Sequence, residues 1–364
     1  MMNDLSQIYV VTKNEIIKCV RGRKFLISLL IVSAVFLLIT LLQFVLGQWD
    51  SITTVGSWVD TYLSTFPMVL TLVIALLSSI AIVSEFEERT ALILFTRPVR
   101  RTSILVGKII SCTLIESMII LMYFVLIGIV GMVKIGSLPG EMLLSYAIAV
   151  MYVFAASGIA FVISAFLKKG SVCTIISLLL LLVIVPIISA METTDGGENW
   201  YMIDQAGNTM YQCYPEYVDR YNETLDGIGE VMDSAAKILT GFTSDDIQAS
   251  AAWLLSFVFT PEYLAMTPEQ QAAIPPEDLV YYMNPEYLAL DAETRYSMLY
   301  LTGFLNIGAS EHITDMAKAL EYLVDSPLLK PMEHPDIGRA MLVLLVWGIV
   351  GYFIAWIRFI RREF

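Results

Sequence analysis

Charge is scarce in this chain. Only 16% of its 364 residues are Asp, Glu, Lys or Arg, and mean hydropathy is +0.70. An ordinary soluble domain carries about 25% charged residues, so a soluble globular enzyme is excluded, and so is a disordered chain. Histidine is scarcer, with two residues, His312 and His334. No His-Glu-x-x-His and no Gly-x-Ser-x-Gly occurs, which removes the usual zinc-peptidase and serine-hydrolase signatures. The phosphate-cradling pattern Gly-x-x-x-x-Gly-Lys-Ser/Thr is absent too. At its nearest approach, Gly107-Lys108, Thr102 replaces the first glycine and Ile109 the hydroxyl residue. Cysteine is limited to Cys19, Cys112, Cys173 and Cys213, spread so that no disulfide framework can be read from them. The net charge of −13 excludes a basic nucleic-acid binder.

Long apolar runs are what the chain does have. A helix needs about 20 apolar residues to cross a hydrocarbon core about 30 Å thick. Six stretches qualify: Phe25 to Leu46, Tyr62 to Val83, Ile104 to Val133, Met142 to Leu167, Val172 to Met191 and Ala340 to Ile357. The runs are continuous rather than alternating, so they read as helices and not as barrel strands. The first run is longer than a signal-peptide core and reads as an uncleaved span. Pro186 is expected to kink the fifth span. In the fourth, Ala156, Gly158, Ala160 and Ser164 form a small-residue stripe suited to close helix packing.

Fifteen Lys and Arg flank these runs on one side, at the N-terminus, between runs two and three, between four and five, and in the C-terminal tail. The positive-inside rule then places both termini in the cytoplasm of a multi-pass plasma-membrane protein. Residues 191–339 fall on the other side. They hold 25 Asp and Glu against 6 Lys and Arg, a net of −19, while the rest of the chain sums to +6. The negative charge therefore belongs to one extracytoplasmic insertion. Its helix starts repeat: Thr260-Pro261-Glu262, Thr267-Pro268-Glu269-Gln270, Pro275-Pro276-Glu277 and Asn284-Pro285-Glu286. It should be mainly helical, with a hairpin expected around Ala206-Gly207-Asn208. Its acids read either as a solvated surface or as a site for cationic or sugar ligands.

The expected fold is an all-α polytopic membrane protein. Residues 1–24 form an amphipathic connecting helix, with Leu5, Ile8, Tyr9, Thr12, Ile16 and Val20 on one face and Lys13, Lys18 and Arg21 mostly on the other. Residues 25–190 supply spans one to five, 191–339 the acidic domain, and 340–364 the sixth span and tail. Glu116 is the one acid inside a span. It is expected either to pair with the N-terminal basic cluster or to act in function.

Between the second and third spans, residues 84–101 put acids first, then an apolar patch, then Pro98 and a basic cluster. Such a surface suits docking to a soluble partner. Here the chain resembles the membrane subunit of an ABC-2 type transporter, a six-span permease half. That family's connection runs approximately Glu-x-Glu-x-Gly-Thr-Leu, an apolar stretch, Pro-x-Ser-Arg and Gly-Lys. Glu85, Glu87, Thr90, Pro98, Arg101, Gly107 and Lys108 match it, while Arg89, Ala91 and Arg100 stand in for its Gly, Leu and Ser. Lys13-x-Glu15-Ile16 and Arg21-x-Arg23 resemble the family's connecting helix. The resemblance implies that 84–101 is a coupling helix seated in a separate cytoplasmic ATP-binding cassette subunit. Glu85, Glu87 and Arg97 would carry docking charge, with Thr90, Pro98 and Arg101 in the same segment. It also implies a second permease subunit (the same chain or a different one), ATP and Mg bound by the partner rather than by this chain, and an exporter driven by separate ATPase subunits, with no catalytic residues in this chain. The competing reading is a multi-pass sensor or scaffold whose acidic ectodomain binds an extracytoplasmic partner. A secondary transporter would need broken helices and repeats around the midplane.

Overall fold

The computed structural model describes residues 4–87, 100–194, 199–241, 252–275, 278–291, 294–295, 298 and 331–361. Among them the chain is nearly all helical, and six helical segments are long and apolar enough to cross a membrane. Helix α1 (Asp4–Arg21) precedes the first span, α2 (Arg23–Val45). The second span is built from α3 (Val55–Tyr62) and α4 (Phe66–Leu77), followed by the short α5 (Val83–Glu87). Spans three and four are α6 (Arg101–Lys134) and α7 (Met142–Phe166). The fifth comprises α8 (Gly170–Leu178), a π-helical turn at Leu179–Ile184, and α9 (Val185–Thr194). Helices α10 (Ile203–Gln212) and α11 (Pro215–Gly241) follow, then the short α12 (Pro261–Leu264), α13 (Pro268–Ala272) and α14 (Pro285–Leu288). The last span is α15 (Ile337–Arg361).

The interruptions in these spans have local causes. Pro67 sits in the first turn of α4, where its missing N–H costs nothing, but it ends the preceding helix. The Phe66 N–H bonds the Leu63 carbonyl at 3.1 Å, which frees the Tyr62 carbonyl. The Tyr123 hydroxyl of α6 donates to that carbonyl at 2.6 Å, so the break stays satisfied away from water. Tyr123 also stacks on Phe66, with ring centroids 4.2 Å apart. Pro186 acts one turn earlier than its own position. It cannot donate to the ladder, and the turn before it widens into the π-helix rather than closing as α.

The first compact unit comprises Met1–Glu223 and Pro331–Phe364. A close helix crossing joins α7 to α15. A Cβ on Gly351 would lie 2.6 Å from the backbone carbon of Gly158, and one on Gly158 would lie 3.0 Å from the Gly348 carbonyl oxygen. Three glycines therefore let two backbones touch. Beside them the hydroxyls of Ser157 and Tyr352 are 2.6 Å apart. The small-residue stripe of the fourth span is intrachain packing, with Ala156 and Ala160 fully buried.

Helix α10 stands where the hairpin around Ala206-Gly207-Asn208 was expected. Gly207 is not a turn glycine. A Cβ there would overlap the Tyr152 ring of α7, so the residue serves close approach within a helix. Ser145 of α7 also donates to the Met210 carbonyl at 2.6 Å.

A polar knot ties the end of α9 to α10. Asn199 and Gln205 donate to the Ser189 hydroxyl at 3.1 and 3.0 Å, and the hydroxyl bonds the Asp204 carboxyl. Asp204 Oδ1 is buried without a hydrogen-bond partner, and burial pushes this carboxyl above the usual carboxylate range. A raised folded-state value favours the protonated form. Its stabilising contribution is present below the unfolded value and is lost as pH rises through the folded one. Amide exchange across Ile203–Gln212, corrected for intrinsic rates, is therefore expected to slow on acidification from neutral pH toward that range. Asp204→Asn should remove the dependence and protect the helix at neutral pH.

The second unit comprises Thr224–Lys330. Its described part packs around Val258, Phe259 and Tyr287. Phe259 and Met283 form an antiparallel bridge, with Thr260 N–H donating to Tyr282 O and Asn284 N–H to Val258 O at 2.8 and 2.9 Å. The Pro-Glu-Tyr-Leu helices α12 and α14 each begin two residues after a bridge residue. The sequence echo is thus a local two-fold pair rather than a solenoid. The Pro-marked starts hold at Pro261, Pro268 and Pro285, with a capping box between Thr267 and Gln270. The fourth, at Pro276 and Glu277, lies outside the described residues.

Candidate functional site

The site is built where α1, α5, α6 and α8 meet at one end of the spans. Gly107 lets α1 close on α6: a Cβ there would lie 2.7 Å from a Val11 methyl carbon, and Thr12 Oγ1 lies 3.4 Å from the Gly107 carbonyl. The next residue, Lys108, turns inward. Its Nζ lies 3.0 Å from Glu15 Oε1 of α1 and 2.9 Å from Glu85 Oε1 of α5. Lys18 of α1 reaches the same Glu85 oxygen at 3.0 Å. The Lys108 side chain is 3% exposed, that of Glu85 8% and that of Glu15 19%. Two lysines and two glutamates thus form an ion-pair network, dry at Lys108 and Glu85 and open to solvent at Lys18, that joins the N-terminal helix, the start of the 84–101 segment and the third span.

Further bonds fix α5 to the bundle. Ser164 of α7 accepts from the backbone N–H groups of Ile82 and Val83, each at 3.0 Å, and so caps α5 from a distant helix. Glu87 Oε2 accepts from the Gly170 N–H at 3.0 Å, which places a carboxylate at the N-terminus of α8. At the other edge of the segment, Arg100 pairs with Asp4 at 2.6 Å and its N–H bonds Gln7 Oε1 at 3.3 Å. Arg101 Nη1 donates to the Ile360 carbonyl at the end of α15, at 2.9 Å.

The candidate residues therefore separate. Glu85, Glu87 and Arg101 bond other parts of this chain, and Glu85 is buried. They tie the two edges of the 84–101 segment to the bundle, while Glu87 remains exposed. Thr90, Arg97 and Pro98 lie outside the described residues. Glu116 does not pair with the N-terminal basic cluster. It is fully buried, accepts from Ser78 Oγ at 2.7 Å through Oε1, and its Oε2 has no hydrogen-bond partner. The cluster spends its charge elsewhere, through Lys18 on Glu85. Lys108, taken from the sequence as a basic edge residue, is the buried centre of the network. The signal was available: a lysine within an apolar run requires counter-ions.

A family model described as "ABC-2 family transporter protein" matches residues 11–212, more than half of the chain. No curated protein matches. The matched region contains the second half of α1, the first five spans and every member of the ion-pair network.

Proposed function

The chain belongs to the ABC-2 transporter family, and from that premise we propose that it is the membrane-spanning permease subunit of an ATP-binding cassette exporter. Separate cytoplasmic subunits would bind ATP and Mg and hydrolyse the nucleotide. A second permease subunit would complete the pathway across the plasma membrane. Both termini would lie in the cytoplasm, and the acidic insertion outside.

One observation carries the mechanism: Lys108 bridges Glu15 and Glu85 in a nearly dry site. A force applied to the 84–101 segment would reach α5 first. Glu85 passes it through Lys108 to α6 and through Lys18 and Glu15 to α1, while Ser164 and Glu87 pass it to α7 and α8. Buried charge pairs resist separation, because each partner left alone would be desolvated and uncompensated. The segment and four helices would thus move together between inward-open and outward-open states, with the ATPase contact proposed for the stretch of sequence that holds Thr90, Arg97 and Pro98.

A photocrosslinking residue in place of Arg97 tests this reading. It should trap a polypeptide that a photoreactive ATP analogue also labels. Crosslinks only to chains that the nucleotide does not label would reject the ATPase contact and favour the scaffold reading.

A further inference from the structure

A cavity of about 360 Å³ opens beside the ion-pair network, walled by α1, the α1–α2 elbow, the end of the second span and the start of α6. Its lining is mixed. Lys18, Arg23 and Ser84 supply polar groups, and Leu77, Ile80 and Ile115 supply an apolar floor. The charge balance is uneven. Glu15 and Glu85 are committed to Lys108 and Lys18, whereas Arg23 makes no ion pair with any described residue. One guanidinium of the lining therefore stands without an ion-pair partner among the described residues.

The helix below that arginine identifies what the cavity suits. Arg23 opens α2, and Leu26, Ile27 and Leu30 follow at the three-, four- and seven-residue spacings that share one helix face. All three are exposed, at 59%, 49% and 68%. A cation at the head of an unpartnered apolar stripe, beside a cavity with hydroxyl and lysine donors, matches a molecule with an anionic head and a long apolar tail. Free phosphate would use only the first half of that surface.

We propose that this cavity binds the headgroup of an anionic phospholipid, with the phosphate on Arg23 and Lys18 and an acyl chain along Leu26, Ile27 and Leu30. Arg guanidinium groups favour such contacts because their fork of donors matches phosphate oxygens. The bound lipid fills the angle between α1 and α2 and braces α1 against α6 beside the network, whose Glu15, Lys18 and Lys108 line the same cavity. The site needs no ATPase partner and stands independently of the transport reading.

Native mass spectrometry of the full-length chain in detergent tests the site, with phosphatidylglycerol, phosphatidylcholine or inorganic phosphate added. One phosphatidylglycerol per chain should be retained preferentially. Arg23→Gln should weaken retention about fivefold, the effect of one basic residue near an anionic lipid. Ala81→Phe, which fills the cavity and leaves every charge in place, should weaken it as well, with a melting temperature measured for each variant to show that it is folded. Equal retention of the two lipids would overturn the proposal, and so would folded variants that keep wild-type retention. Displacement of phosphatidylglycerol by millimolar phosphate would show an anion site without lipid selectivity, and would overturn it too.

Discussion

Lys108→Ala is expected to cost about 3–5 kcal/mol of stability, because it removes one partner from a buried ion-pair network. The loss should sit toward the lower end of that range, since Glu85 keeps Lys18 at 3.0 Å. Glu15 is the residue left without a described cation. Thermal unfolding in detergent measures the effect. Glu15→Gln combined with Lys108→Met should destabilise less than the sum of the single changes, because the pair shares one interaction. Lys108→Arg should not restore wild-type behaviour. The longer, forked guanidinium cannot occupy a space set by two carboxylates at 2.9 and 3.0 Å without moving one of them. If Lys108→Ala unfolds at the wild-type temperature, the network is not holding α1, α5 and α6 together.

Gly351→Leu is expected to be the most damaging substitution in the membrane core. Even the first added carbon would lie 2.6 Å from the backbone of Gly158, and a backbone atom has no rotamer by which to yield. Overpacking typically costs about 1–3 kcal/mol and occasionally more. Gly351→Ala should fall within that range, with Leu beyond it as α7 and α15 are driven apart. Gly140 is the control. A Cβ there meets nothing within 4 Å, so Gly140→Ala should change stability by less than about 0.5 kcal/mol. Equal melting temperatures for Gly351→Ala and Gly140→Ala would show that the crossing is looser than its geometry indicates.

The spans were legible because their signal is long and one-sided. Twenty apolar residues have few alternatives, and all six expected runs correspond to helices in the structure. The N-terminal helix was legible from its spacing, although its faces divide differently: Val11, Thr12, Glu15 and Ile16 turn toward α6, while Leu5, Tyr9 and Val20 are exposed. Single-residue signals were less secure. Gly207 could mark a turn or a close approach, and only the position of Tyr152, 55 residues earlier, decides between them. Gly158 announced tight packing, but its partners Gly348 and Gly351 lie in the last span, and no periodicity within one helix reveals which neighbour it meets.

The charges show the same limit. Glu85 and Glu87 stood in a segment suited to docking, and linear sequence does not say whether an acid faces outward or back into its own chain. Lys108 turns Glu85 into its own chain, whereas Glu87 accepts from the Gly170 N–H while remaining exposed. Both roles depend on contacts between residues far apart in sequence. The resemblance to the ABC-2 family is borne out by the family model over residues 11–212, and the structure bonds Glu85 and Glu87 to other helices of this chain.

The central claim is that this chain is moved by ATP hydrolysed in another subunit. Its most direct test is the ATPase activity of the complex purified from native membranes through a tag on this chain. A nucleotide-binding subunit should copurify and hydrolyse ATP, and ATP-dependent export by the reconstituted complex should be lost in a folded Glu15→Gln variant while hydrolysis continues. Isolation of the chain without a nucleotide-binding subunit and without ATP hydrolysis, under conditions that preserve its fold, would contradict the claim.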